Sequence, residues 1–307
     1  MFDWDVVIIG GGPAGLTAGL YLGRARRRTI LLDKDTVGGY IRNIELVENY
    51  PGYAGGIAGA ELAAEMVKQA GKYGLETETA EVTGLEVFSG TRWVGCARGR
   101  GFTTNIVIIA GGSGHKKLGV PGEEELTGKG VFSCALCDAG QYADKVVAVC
   151  GGGNAAVTEA LYLSKFASRV LLVHRRDQLR ATGILRERAL AEPKIEVLWD
   201  TVVEEIMGEN SVSQIRVRNV KNNQESSLDV SGVLVSIGLK PNTEYLDGIV
   251  PLDDQGQIIV NECMETEIPC ILAAGDIRSG SPRQIATAVG DGAMAAITAE
   301  RLLREGG

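Results

Sequence analysis

Short apolar runs that end at glycine or at an acidic residue recur along this chain of 307 residues. Residues 5–9 and 29–32 are two such runs, and their length favours buried β-strands. Between them, residues 13–24 carry apolar side chains at helical spacing. The pattern predicts a strand, a helix and a second strand, which is the repeating unit of an α/β fold with a parallel sheet.

The same order of elements returns in the second half of the chain. Residues 145–150 form another apolar run before a glycine loop, and four positions of the first unit match four of the second at an offset of 141 residues. The matched pairs are Gly10 with Gly151, Gly12 with Gly153, Gly15 with Ala156, and Asp33 with His174. A repeat of this kind predicts two copies of one nucleotide-binding unit.

The remaining stretches complete the domain prediction. Residues 75–109 and 195–235 have the pattern of short strands, and residues 116–122 that of a crossover containing glycine and proline. From about residue 244 the chain is expected to return to the first domain. We therefore predict an α/β protein with two Rossmann-like three-layer domains, the second inserted into the first: residues 1–115 with 244–307, and residues 116–243.

The two glycine loops have the spacing that dinucleotide binding requires. A G-x-G-x-x-G/A loop between a strand and a helix lets backbone N–H groups approach a pyrophosphate. In the first copy the second strand closes with Asp33, whose carboxylate suits a ribose diol. In the second copy His174 precedes Arg175 and Arg176, with Arg180 four residues on. Arginines there suit a 2′-phosphate, which predicts a preference for NADP(H) over NAD(H).

Composition narrows the class of protein further. The hydrophobic fraction of 45% and the charged fraction of 23% fit a soluble globular protein. The net charge of −8 argues against nucleic acid as a main partner. No apolar run reaches the roughly 18 residues of a membrane helix, and residues 3 and 5 are acidic where a secretory leader would be basic. A cytoplasmic enzyme without a membrane partner is expected.

Two of the six cysteines form a CxxC pair, Cys134 and Cys137, between the two glycine loops. Asp138 follows the second thiol directly. A structural zinc site would need a second Cys or Cys/His pair at similar spacing, which the sequence lacks, so no metal is expected. The pair is interpreted as a redox dithiol that receives electrons by way of two nucleotides.

The order of these motifs resembles the low-molecular-weight thioredoxin reductases, within the flavoproteins that have two dinucleotide-binding domains. The motifs are GGGPAG, ENYPG, CxxCD, GGGNAA, HRRxxxR, and AAGD followed by RQ. The resemblance covers nearly the whole chain. It is specific because CxxCD lies inside the second nucleotide domain, whereas glutathione-reductase-type relatives carry their cysteines in the first.

The resemblance implies an NADPH-dependent FAD flavoprotein that reduces the disulfide of thioredoxin or a thioredoxin-like small redox protein. It implies that FAD is bound by Gly10, Gly12, Pro13, Ala14, Gly15, Asp33, Gly39, Asn49, Gly111, Gly275, Asp276, Arg283 and Gln284. It implies that NADPH is bound by Gly151, Gly153, Asn154, Ala156, His174, Arg175, Arg176 and Arg180. A homodimer is expected on the same ground.

The resemblance also implies the roles of the three residues at the dithiol. Electrons would pass from NADPH to the flavin and then to the Cys134–Cys137 disulfide, with Cys137 as the flavin-side sulfur. Asp138 would act as general acid to the departing thiolate, and Cys134 would attack the disulfide of the protein substrate.

The chain departs from the family pattern just after the dithiol. Ala139 stands where the family has glycine, and Gly140-Gln141 replaces an aromatic pair that is often found there. A partner other than ordinary thioredoxin therefore stays an alternative. Three further alternatives are an FAD-dependent dithiol oxidase, a thioredoxin reductase-like enzyme that takes electrons from another donor such as ferredoxin, and a flavin-binding redox sensor without turnover. The arginines after His174 argue against the oxidase, which needs no NADPH.

Overall fold

The computed structural model describes residues 3–44, 46–246 and 248–305. The chain forms two compact units, one of residues 1–114 with 240–307 and the other of residues 115–239. The boundaries lie at 114/115 and 239/240, against 115/116 and 243/244 expected from the sequence. Each unit contains one copy of the nucleotide-binding repeat.

The helices and strands follow the chain in this order. The first part of the first unit contains β1 Trp4–Ile9, α1 Pro13–Arg24, β2 Thr29–Asp33, α2 Gly59–Lys72, β3 Glu76–Thr79, β4 Val82–Phe88, β5 Thr91–Cys96 and β6 Arg100–Ile109. The short strand β7 Ser113–His115 includes the boundary between the units. There follow β8 Val131–Phe132, α3 Ala135–Asp138, β9 Val146–Cys150, α4 Asn154–Leu163, β10 Arg169–Val173, α5 Gly183–Ala191, β11 Ile195–Leu198, β12 Thr201–Met207, β13 Gln214–Asn219, β14 Glu225–Asp229 and β15 Gly232–Val235. The chain ends with β16 Leu239–Pro241, β17 Ile271–Ala273 and α6 Ile285–Glu305.

The first unit is built on a seven-stranded sheet of order β3-β2-β1-β6-β5-β4, with β17 paired to β6. The strands β3, β2, β1, β6 and β17 are parallel, whereas β5 and β4 extend the sheet antiparallel. Val6 and Ile8 pack in the core that contains α1 and α6, while Val7 and Ile9 pack in the core on the opposite face. Both faces are covered, which explains why this strand is a continuous apolar run.

The second unit combines a parallel sheet with a small antiparallel one. The parallel sheet has the order β11-β10-β9-β15-β8. The antiparallel sheet is a meander of β12, β13 and β14. The prediction of an α/β protein with two Rossmann-like units, the second inserted into the first, is confirmed.

The internal repeat is present in the hydrogen bonding as well as in the sequence. Val6 pairs with Thr29 across β1 and β2, and Val147 pairs with Val170 across β9 and β10, so both pairs keep the offset of 141 residues. The nitrogen of Gly10 donates to the oxygen of Leu32 at 2.8 Å. Its counterpart in the second copy, from Gly151 to Val173, measures 3.0 Å.

The last helix begins slightly later than the sequence indicates. Apolar spacing predicts a helix from Arg283, but α6 begins at Ile285 because Arg283 has a φ of 57°, which no right-handed helix accommodates. In the described part of the chain, no helix is both long enough and apolar enough to cross a membrane.

Candidate functional site

The first glycine loop joins β1 to α1 and has one position open to a ligand. Gly10 has a φ of 109°, and a side chain there would overlap the carbonyl of Ala110. A side chain at Gly15 would overlap the carbonyl of Gly10. Gly12 differs, because its backbone is extended and an added Cβ would meet nothing within 4 Å. The outer two glycines therefore serve the turn itself, and the middle one leaves the start of α1 accessible.

Asp33 lies beside this loop at the end of β2. Its Oδ2 accepts from the nitrogen of Gly11 at 2.6 Å, and its Oδ1 accepts from the nitrogen of Asp35 at 2.9 Å. Gly39 lies on the other side of the loop, where an added Cβ would come within 2.7 Å of the Cα of Gly12. The carboxylate is thus fixed at the carboxyl edge of the parallel sheet, where dinucleotides bind in such folds.

The remaining residues expected to bind FAD lie in the same unit. The Cα of Gly111 would lie 2.7 Å from a Cβ at Gly10. Asn49 donates through Nδ2 to Oε1 of Gln284 at 3.0 Å, which joins two segments that are far apart in the chain. Burial raises the pKa of Asp276, and the nearby Arg283 opposes that rise. These side chains collect near the start of α6, whose positive end favours a negative group.

The second glycine loop repeats the first one with its own neighbours. Gly151 has a φ of 149°, and a side chain there would overlap the carbonyl of Ser236. A side chain at Gly152 would overlap the ring of His174. Gly153, like Gly12, is extended and has open space in front of it. The start of α4 is therefore accessible in the way that a pyrophosphate needs.

The arginine loop after β10 folds back onto this glycine loop. The nitrogen of Arg180 donates to the oxygen of Gly152 at 2.7 Å. His174 is buried, and its Nε2 lies 3.0 Å from the oxygen of Gln178. Burial lowers the pKa of His174, and the neighbouring arginines lower it further, so the ring stays neutral near pH 7. Arg175, Arg176 and Arg180 are exposed and form a cationic group at the edge of the nucleotide loop.

The dithiol lies on the single turn of α3 in the second unit. Cys134 and Cys137 form a disulfide with their Cα atoms 5.4 Å apart. The nitrogen of Cys137 donates to Sγ of Cys134 at 3.2 Å. Cys137 is exposed and Cys134 is half-buried. The backbone donor would stabilise a thiolate at Cys134 once the bond is reduced, which suits the nucleophilic role expected for that sulfur.

Asp138 lies at the end of the same turn, close enough to Tyr142 to act on its pKa. Burial raises the pKa of Asp138, which favours the protonated acid. Gln141 donates through Nε2 to Oδ1 of Asp138 at 3.2 Å. Tyr142 stacks on Phe132, with 4.7 Å between ring centroids, and burial raises the pKa of Tyr142 to about 12. The turn thus holds two sulfurs and a carboxyl group whose pKa is raised by burial.

Known proteins share these features over nearly the whole chain. The model of the pyridine nucleotide-disulphide oxidoreductases matches residues 4–292. The chain belongs to this family. It is 42% identical over 304 residues to the thioredoxin reductase of Bacillus subtilis (strain 168), an alignment that covers 98% of this chain and 95% of the relative. It is 40% identical to the thioredoxin reductase of Streptomyces coelicolor, covering 97% of this chain and 94% of the relative.

Solved structures give the same result. The thioredoxin reductase of Lactococcus lactis, in the conformation designated FR, superposes with a TM-score of 0.95 at 41% identity, covering 99% of this chain and 100% of that one. The thioredoxin reductase of T. acidophilum superposes with a TM-score of 0.92 at 32% identity, covering 98% of this chain and 99% of that one. The resemblance to thioredoxin reductases inferred from the motifs is confirmed.

The residues present fit the two nucleotide cofactors that the family implies. The helices α1 and α4 both begin at a glycine without a side-chain cap, and both glycines face open space. In the first unit, Nε of Arg283 is buried and has no hydrogen-bond partner within the described residues. Open backbone donors and an unpartnered buried donor are what a phosphorylated cofactor would satisfy. The assignment of individual residues to FAD and NADPH stays a prediction.

Some residues of the site were not predicted from the sequence. Gly152 makes room for the His174 ring, and Gln141 contacts the Asp138 carboxyl group. Arg278 and Asp291 form a buried ion pair beside Asp276. The spacing of residues in the sequence indicates none of these contacts. The small size of Gly152, directly before Gly153, could have suggested its contact with the His174 ring. Across residues 3–44, 46–246 and 248–305, no cluster of three or more His, Cys, Asp or Glu residues is arranged to hold a metal.

Proposed function

We propose that this chain is an NADPH-dependent, FAD-containing thioredoxin reductase that works through the Cys134–Cys137 disulfide. The observation that carries the proposal is the dithiol turn itself. It places a disulfide, a backbone donor to one sulfur and a carboxyl group with a raised pKa within five consecutive residues, 134–138. The Bacillus subtilis and Lactococcus lactis proteins that this chain matches over nearly its full length are thioredoxin reductases.

The residues of the first unit would hold FAD. The glycine loop would take the pyrophosphate at the start of α1, and Asp33 would accept from the ribose of the ADP half. Asp276 and Arg283 would contact the rest of the cofactor near the start of α6. When bound, FAD supplies a two-electron carrier between a nicotinamide and a disulfide.

The residues of the second unit would hold NADPH. Gly153 would let the backbone approach the pyrophosphate, and Arg175, Arg176 and Arg180 would neutralise the 2′-phosphate. A carboxylate at the position of His174 would repel that phosphate, whereas a neutral imidazole does not. The second unit would therefore prefer NADPH to NADH.

The thiol chemistry belongs to residues of this chain. Two electrons break the Cys134–Cys137 bond, and Asp138 gives its proton to one departing thiolate. The Cys134 thiolate then attacks the disulfide of the partner and forms a mixed disulfide, which releases one partner thiolate. Attack by Cys137 on Cys134 closes the intramolecular disulfide again and releases the second partner thiolate. Overall, NADPH and a proton reduce one partner disulfide to two thiols.

Anaerobic reduction of the flavin, followed by addition of thioredoxin, tests this proposal. NADPH should bleach the flavin with a kcat/KM about tenfold or more above that of NADH, because a charge-assisted contact to the 2′-phosphate contributes about 1.5–3 kcal/mol. Cys134→Ser should retain this bleaching and lose thioredoxin reduction. Cys263→Ser, which replaces an exposed free cysteine, should retain both and serves as the control.

Two results would contradict the proposal. Full thioredoxin reduction by Cys134→Ser would remove the dithiol from the mechanism. Oxygen uptake with a dithiol alone, without any bleaching by NADPH, would point to a dithiol oxidase instead.

We also propose a homodimer in the cytoplasm as the working form, in line with the resemblance. Sedimentation of the holoenzyme would test the dimer, and cell fractionation would test the location.

A further inference from the structure

The turn that presents Asp276 is a sharp one between β17 and α6. Gly275 has a φ of 80°, and residues Gly275–Ile277 form a single 3₁₀ turn. The main-chain oxygen of Asp276 accepts from Oγ of Ser113 at 3.2 Å. The carboxyl group of Asp276 accepts a long hydrogen bond from Oγ of Ser281 at 3.5 Å. The direction of this carboxyl group therefore depends on how the main chain on both sides of it is held.

Asp291 contacts the chain on both sides of Asp276, through a main-chain nitrogen before it and an arginine side chain after it. This residue lies on α6 and is buried. Its Oδ2 accepts from the nitrogen of Gly275 at 3.1 Å and from Nε of Arg278 at 2.7 Å. Its Oδ1 accepts from Nη2 of Arg278 at 2.9 Å. One carboxylate thus joins the residue before Asp276 and the arginine two residues after it to the same point on the helix.

Arg278 has further contacts that fix its own position. Its Nη1 donates to the oxygen of Ser279 at 2.9 Å, and its main-chain oxygen accepts from Nε2 of Gln257 at 2.8 Å. The side chains of Arg278 and Asp291 are 16% and 9% exposed, so the pair is largely removed from water. Burying an ion pair costs desolvation free energy, so its presence alone is weak evidence that it stabilises the fold. A role in positioning the turn gives another reason for its presence.

The helix that carries Asp291 is also seated against the first glycine loop. A side chain at Gly292 would overlap the carbonyl of Ala14, and a side chain at Gly275 would come within 2.9 Å of the Ala14 Cβ. The glycine loop, the Asp276 turn and α6 are therefore in mutual contact. A shift of the turn would therefore also move the residues expected to bind both halves of FAD.

We propose that Arg278 and Asp291 are positioning residues for FAD: their ion pair fixes the Gly275–Ile277 turn so that the Asp276 carboxyl group meets the hydroxyl groups of the cofactor's sugar-alcohol chain. Neither residue needs to touch the cofactor. The proposal rests on FAD binding by the first unit, as proposed above. It predicts that the pair controls cofactor affinity more than it controls folding.

Release of FAD from the purified holoenzyme on dilution, followed by the fluorescence of free FAD, tests the proposal. Asp291→Asn should weaken FAD binding about tenfold or more, since the amide has one acceptor oxygen in place of the two carboxylate oxygens that accept from Gly275 and Arg278. The matched control is Glu300→Gln, on the same helix and in the same unit. Glu300 also accepts two bonds from an arginine, at 2.5 and 3.0 Å from Arg27, but no residue assigned to FAD contacts it.

Chemical unfolding of each variant at a known excess of FAD separates positioning from loss of stability once the contribution of FAD binding, RT ln(1 + [FAD]/Kd), is subtracted. The proposal holds if Asp291→Asn releases FAD while Glu300→Gln, at a similar loss of stability, retains it. It is overturned if both variants retain FAD, or if both release it in proportion to their loss of stability. If Asp291→Asn does not fold, Arg278→Lys keeps the charge but loses the two-pronged contact, and normal FAD retention by that variant would equally overturn the proposal.

The same experiment distinguishes failure of this inference from failure of the proposed function. A wild-type protein that retains FAD beside an Asp291→Asn variant that also retains it would reject only the positioning role. A wild-type protein that binds no FAD at all would reject the flavoprotein function, and the inference with it.

Discussion

Two neighbouring glycines of the second nucleotide loop should respond in opposite ways to one added methyl group. Neither Gly152 nor Gly153 has a positive φ, so an alanine meets no backbone strain at either position. At Gly152 the new Cβ would overlap the buried His174 ring, whose Nε2 contact with Gln178 restrains it. Overpacking of this kind costs about 1–3 kcal/mol of the free energy of unfolding.

At Gly153 the same methyl group would meet nothing within 4 Å. We expect the free energy of unfolding of Gly153→Ala to stay within about 1 kcal/mol of wild type, since alanine also restricts the unfolded chain. Its NADPH affinity should nevertheless fall about ten- to a hundredfold. The methyl group would occupy the approach of a pyrophosphate and remove a charge-assisted backbone hydrogen bond worth about 1.5–3 kcal/mol.

The two variants can be compared by denaturant unfolding without pyridine nucleotide and by calorimetric titration of the oxidised holoenzyme with NADP⁺. Gly152→Ala should show a lower unfolding midpoint, and Gly153→Ala a weaker NADP⁺ affinity at a nearly unchanged midpoint. Unchanged NADP⁺ affinity in Gly153→Ala would show that this loop does not hold the pyrophosphate. Equal destabilisation by both variants would refute the packing argument for the His174 ring.

Three further outcomes are expected. Arg176→Ala should lower kcat/KM for NADPH about tenfold and leave that for NADH unchanged, measured by flavin bleaching, because only the phosphorylated cofactor loses a charged contact. Burial raises the pKa of Asp138, so thioredoxin reduction should decline as pH rises through that raised value and the acid loses its proton; in Asp138→Asn this limb of the pH profile should be absent. The hydrogen bond from Arg27 lowers the pKa of Glu300, so the pair should stabilise the protein above the unfolded pKa of about 4.3, and the stability should be lost as pH falls through the lower folded value. Glu300→Gln should remove that acid-dependent loss in urea unfolding at different pH values.

The nucleotide units could be predicted because their contacts are local. The strand, glycine loop, helix and second strand lie within about thirty residues, and the hydrophobic pattern determines which face each element buries. Asp33 follows from the same pattern, since the carboxyl end of β2 lies beside the loop after β1. The match of Val6 with Thr29 and of Val147 with Val170 shows that the two copies share their strand register as well as their sequence spacing.

Contacts between residues that are far apart in the sequence could not be predicted. The pairing of β17 with β6 joins residues more than 160 positions apart. It depends on the position of β17 in the strand order of the sheet, which no local sequence pattern indicates. Asp291 lies on a helix of mostly small residues, where its sequence neighbours give no sign that it reaches Gly275 and Arg278. The late start of α6 follows from the left-handed backbone of Arg283, a conformation that no periodicity records.

The departure from the family pattern after the dithiol also affects Asp138, the residue expected to donate the proton. From the sequence, Gly140-Gln141 in place of an aromatic pair raises a question about the partner surface alone. In the structure, Gln141 donates a hydrogen bond to the Asp138 carboxyl group. An amide N–H favours the ionised form of a carboxyl group, whereas burial favours the protonated form. An aromatic side chain without a polar group could not donate that bond, so the residue that changes the partner surface also acts on the carboxyl group expected to protonate the leaving thiolate.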